Sequence, residues 1–125
     1  MTFRAALLGS GTPNLQAQAI VGTVTTGLTA TGSTQATALN LLDTINVVGT
    51  TAASTGVVAF PVPNQNATGD TCTVYNFGAN TLTVYPPVGY KINNGSTNAG
   101  VSVAAGKGAV LTLLDTVNIG AIISA

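Results

Sequence analysis

The chain has 125 residues and 12.3 kDa, which suits one domain, and only 5% of it is charged, against about a quarter in ordinary globular proteins. Three basic residues (Arg4, Lys91, Lys107) balance three acidic ones (Asp43, Asp70, Asp115), and there is no His, Glu or Trp. This excludes a basic nucleic-acid-binding surface, a carboxylate-rich metal cage and a His-based acid–base site, and it argues against an enzyme.

The scarcity of charge does not imply disorder, because disordered chains are poor in apolar residues and this one is 46% hydrophobic. Its polarity is neutral, with Thr the commonest residue and Val abundant, a composition suited to half-buried pleated surfaces. Residues 1–33 read as an extended N-terminal arm, with an apolar start at Phe3, Leu7 and Leu8 and a turn-rich stretch behind it. Such an arm docks readily on a neighbouring chain, so Phe3, Leu7 and Leu8 are the candidate inter-subunit contacts. The turn at Gly9 to Asn14 breaks the apolar start too early for a secretory signal, and no run approaches the ~18 residues that span a bilayer. No membrane is therefore expected as a partner.

Residues 34–125 read as a compact β domain. Gln35 to Leu42 fits either a strand or a short helix capped at Ser33, and the strand is preferred. Ile45 to Val48 and Gly56 to Phe60 follow as strands, the second ended by Pro61 and Pro63. Thr71–Phe77 and Thr81–Tyr85 alternate apolar and polar residues with period two. The Gly78-Ala79-Asn80 link between them predicts a β-hairpin. Short strands then follow at Val101–Val103, Ala109–Leu114 and Val117–Ile123. Strands about every ten residues predict an all-β fold, a compact antiparallel β-sandwich or jelly-roll-like barrel carrying the N-terminal arm. Zero net charge leaves a lone monomer little colloidal protection, which suggests that other chains cover much of the surface.

Several motifs invite chemistry, and each has a plainer explanation. Gly9-Ser10-Gly11 lacks the third Gly of a dinucleotide loop and the Lys-Ser/Thr of a phosphate loop, so it reads as a turn. Leu41-Leu42-Asp43-Thr44-Ile45-Asn46 is echoed by Leu113-Leu114-Asp115-Thr116-Val117-Asn118. Two similar Asp corners explain the echo, and two carboxylates meeting at a Ca²⁺ site is the sharper alternative. Asn66-Ala67-Thr68 and Asn94-Gly95-Ser96 match the glycosylation pattern but read as loop turns. Tyr75, Tyr85 and Tyr90 with Phe60 and Phe77 could line a sugar platform, although such rings more often fill cores and interfaces. Cys72 reads as a small buried hydrophobe, since no His could activate it. No cofactor, metal or catalytic residue is expected.

A longer pattern runs through Gln35 to Leu39, Asp43 to Val48, Gly56-Val57, Gly69-Asp70, Val74 to Asn76, Gly78 to Pro86, Gly89, Ile92-Asn93, Asn98 and Ala104 to Lys107. This series resembles small β-structured virion proteins of tailed bacteriophages, in particular capsid decoration (cement) proteins and modules of head or tail fibres. The resemblance covers about residues 34–121, and Val117-Asn118-Ile119 stands where phage versions often carry an aromatic strand such as a Trp-Tyr pair. It implies a homotrimer bound to the major capsid protein at the capsid surface, where it stabilises the shell against the pressure of packaged DNA. The alternative it implies is a fibre or receptor-binding module that contacts a host glycan through the loops from Pro86 to Asn98.

Overall fold

The computed structural model describes residues 23–61 and 66–124. Among these lie ten strands: β1 (Val24–Thr29), β2 (Leu39–Asn40), β3 (Ile45–Thr50), β4 (Gly56–Val58), β5 (Thr71–Asn76), β6 (Leu82–Tyr85), β7 (Lys91–Ile92), β8 (Val101–Val103), β9 (Lys107–Leu113) and β10 (Asn118–Ile123). They form a six-stranded sheet in the order β1-β3-β5-β9-β10-β7 and a four-stranded sheet in the order β2-β4-β6-β8. The fold is all-β with two mixed sheets.

The expected antiparallel arrangement is replaced by a different path. Among the described strands, five pairings are parallel and three antiparallel. From β1 to β6 the chain alternates between the sheets, so β1, β3 and β5 stack in parallel in one and β2, β4 and β6 in the other. Parallel neighbours need a long crossover, ordinarily a helix. Between β1 and β6 a strand of the opposite sheet serves as each crossover. Of the described strands that follow one another in sequence, only β9 and β10 pair as a hairpin.

The predicted hairpin at Gly78-Ala79-Asn80 is corrected accordingly. β5 pairs with β3 and β9, whereas β6 pairs with β4 and β8, and the two do not pair with each other. The link is an arch that carries the chain from one sheet to the other. Asn76, fully buried at the end of β5, holds it. Its Nδ2 donates to the carbonyls of Asn80 (2.8 Å) and Val103 (3.0 Å), and its Oδ1 accepts from Thr51 Oγ1 (2.7 Å) and the Gly78 amide (3.1 Å). Two donors and two lone pairs are the full capacity of an amide side chain. Asn80 Nδ2 adds a bond to the Thr51 carbonyl. A second buried amide, Asn46, ties the corner entering β3, donating to the carbonyls of Asp43 (2.8 Å) and Thr73 (3.3 Å).

One core cluster joins the sheets. Val48, Val74, Leu111 and Ile119 come from the six-stranded sheet, and Val57, Leu82, Val84 and Val103 from the four-stranded one. The period-two alternation of β5 and β6 places Cys72, Val74, Leu82 and Val84 in it as the sequence predicts. The Gln35 to Leu42 strand shrinks to Leu39–Asn40, because residues 34–38 close a tight turn on the Thr34 carbonyl. β1 lies within the stretch read as an arm, yet it is hydrogen-bonded into the six-stranded sheet and leads into the buried Ala30. Phe3, Leu7 and Leu8, and the Gly9-Ser10-Gly11 turn, lie outside the described residues.

Removing the Asn76 side chain strands at least two buried partners, so Asn76→Ala is expected to cost about 3 kcal/mol. A Cβ at Gly78 would meet the Thr51 backbone nitrogen at 2.5 Å, so Gly78→Ala is expected to destabilise as well, by about 1–3 kcal/mol. Urea denaturation midpoints check both. Wild-type midpoints for the two variants would mean that the link is an ordinary exposed hairpin loop.

Candidate functional site

The outer face of the six-stranded sheet is the most distinctive surface of the molecule. Cross-strand register aligns Val24 with Ile45, Ile45 with Thr73, Thr73 with Val110, and Val110 with Ile122. These five β-branched residues form one row across five strands. Val24 is 59% exposed, Val110 41% and Ile122 80%. The next row holds Val47, Tyr75 and Gly108, and the Tyr75 ring covers the Gly108 backbone, where an added Cβ would meet it at 2.8 Å. On the other side of the central row, exposed Leu114 lies over Gly120 in the same way. Glycine in a strand commonly marks such a close approach. Tyr75 stacks on Phe77 with ring centroids 5.8 Å apart and planes inclined by 37°. None of the residues in these rows is charged.

Among the described residues, charge is confined to the ends of this sheet. Asp43 precedes β3, Asp70 precedes β5, and Asp115 sits in the β9–β10 turn, so all three acids lie at one end. Lys91 opens β7 beside Asn118 at that same end, and Lys107 opens β9 at the opposite one. The carboxylates are engaged locally. Asp43 accepts from Thr23 Oγ1 (2.6 Å) and Asp70 from the Ala67 amide (2.9 Å). Asp115 accepts from Asn118 Nδ2 and from the amides of Val117 and Asn118, each at 2.8 Å. The Asn118 side chain foremost, then those two amides and the Lys91 charge, hold the Asp115 carboxyl below the usual carboxylate range. The sequence echo is thus two Asp–Asn corners of different build: at Asp115 the carboxylate closes the turn, and at Asp43 the Asn46 amide does. Among the described residues no group of three or more Cys or Asp side chains could hold a metal ion.

The aromatic residues do not form one platform. Phe60 is buried in the core and Tyr90 packs against it. Tyr85 is half-buried, donates its hydroxyl to the Ser33 carbonyl (3.0 Å) and covers Gly56 and Gly100 with its ring. That ring shields part of the outer side of the four-stranded sheet, as Tyr75 and Leu114 do on the outer side of the six-stranded one. Among the described residues, only Tyr75 and Phe77 stand exposed together. The two sequons fall in exposed loops, with Asn94 in a left-handed turn at φ 60°. Among the described residues no helix is long and apolar enough to cross a membrane.

Val24, Val110 and Ile122 escaped the sequence reading, although a signal was present. Ala109-Val110-Leu111 and Ala121-Ile122-Ile123 are apolar at successive positions, the mark of a strand covered on both faces. No family model, no curated protein and no solved structure matches the chain.

Cys72 is buried beside Asn46 Nδ2 (3.6 Å), and burial pushes its thiol up to about 12 from 9.0. It is therefore expected to resist thiol reagents until the chain unfolds. Between pH ~9 and ~12 the unfolded chain releases this proton while the folded chain keeps it, so stability falls as pH rises through that window. Denaturation midpoints across the window should show a slope that Cys72→Ala lacks. Identical slopes in both proteins would contradict this assignment.

Proposed function

We propose that the chain is a structural virion protein of a tailed bacteriophage, one that decorates the capsid and stabilises it by binding the outer shell as an oligomer. Its partners are the major capsid protein and copies of itself, a homotrimer by the resemblance of residues 34–121, and it works at the capsid surface without catalysis or cofactor. In this reading the two sheets are the faces of a β-sandwich. Phe3, Leu7 and Leu8 reach a neighbouring subunit from the N-terminal arm.

The observation that carries the proposal is the charge-free outer face of the six-stranded sheet. Burying unpaired charge is costly, and a neutral face of Val, Ile, Thr and Tyr can be covered without that cost. Contacts that are modest for one protomer act together in an oligomer seated on a repeating lattice. A second reading, a fibre or receptor-binding module, draws support from the exposed Tyr75–Phe77 pair, since stacked rings suit the C–H face of a sugar.

Copy number separates the two. Quantifying this chain against the major capsid protein in purified particles by mass spectrometry should give a ratio near one for decoration. A handful of copies per particle would overturn decoration in favour of a fibre. Absence from purified particles would overturn both.

A further inference from the structure

We propose that the outer face of the six-stranded sheet receives the N-terminal segment, residues 1–22, of a second copy of this chain. The inference rests on the self-association in the proposed function and adds the surface that receives it.

Three observations converge. The face offers the exposed row of Val24, Val110 and Ile122, flanked by Tyr75 and Leu114, with no charge to desolvate. Residues 1–22 match it in chemistry: Phe3, Leu7, Leu8, Leu15 and Ile20 are spread along the segment, and Arg4 is its only charge. Charge is complementary too. The end of the sheet that carries Asp43, Asp70 and Asp115 holds only Lys91 in opposition, which leaves room for one more cation, and Arg4 supplies it.

Length lets the segment reach a second copy. Residues 1–22 can extend about 70 Å at roughly 3.3 Å per residue, whereas six strands at about 4.8 Å spacing make a face only about 24 Å wide. The segment joins the sheet at its edge, where Thr23 is bonded to Asp43. From that edge the segment is long enough to bring Arg4, Leu7 and Leu8 within reach of a neighbour. Each chain then gives one segment and receives one, a head-to-tail exchange that closes into a ring when the rotation between copies closes.

A complementation experiment on the purified full-length chain tests this. One variant, Val110→Lys with Ile122→Lys, spoils the face and keeps the segment. The other, a deletion of residues 2–12, removes Phe3, Arg4, Leu7 and Leu8 and keeps the face. Light scattering after size exclusion should show wild type associated and each variant monomeric, with unchanged circular dichroism. An equimolar mixture of the two should associate again, because each supplies what the other lacks. If the Lys substitutions perturb the spectrum, Val110→Thr with Ile122→Thr replaces them. Arg4→Gln should weaken association severalfold at low salt and less at high salt. A monomeric wild type, a face variant that still associates, or a mixture that stays monomeric would overturn the proposal. No capsid enters the assay, so a chain that passes it and fails to bind capsids would sink the virion reading alone.

Discussion

The fold depends on one buried amide. Asn76 ends β5 in the six-stranded sheet, yet it bonds to the Val103 carbonyl in the four-stranded one, to Thr51 after β3 and to Asn80 before β6. It thereby fixes where the chain leaves one sheet for the other and how far apart the sheets stand. A buried amide with every donor and acceptor engaged specifies a geometry, whereas the same group half engaged would oppose folding. The apolar core supplies the larger share of the driving force, but Val, Leu and Ile fill either a hairpin stack or an arch. The amide selects the arch.

How much of this was legible in the sequence follows from what each signal reports. Period-two alternation reports which side of a strand faces the core, and it placed Cys72, Val74, Leu82 and Val84 correctly. It carries no information about which strands are neighbours. A short Gly-Ala-Asn link between two alternating runs serves a hairpin and an arch equally well. The distinguishing residue, Asn76, reads as a polar strand end until its four partners come together from residues 51, 78, 80 and 103. The two Asp corners were legible because their bonds are local, three residues apart or fewer. The row from Val24 to Ile122 was not, because it exists only through a register that spans five strands.

The same register separates charge from surface. Strand ends hold every described ionisable Asp and Lys, and the broad outer face between them holds none. Glycines at 108 and 120 let Tyr75 and Leu114 lie flat on that face. A surface of this kind gains little from water and loses little on being covered. The proposed adhesive role rests on this neutral face.

The central claim is that this face is an association surface. Hydroxyl-radical footprinting of the full-length chain, dilute and concentrated, tests it most directly, with oxidation read residue by residue. The account predicts that Val110, Ile122 and Tyr75 become protected on concentration, while exposed Val88, in a loop away from that face, keeps its reactivity. Equal oxidation of Val110 and Ile122 in both states, with association evident by scattering, would place the contact elsewhere and contradict the account.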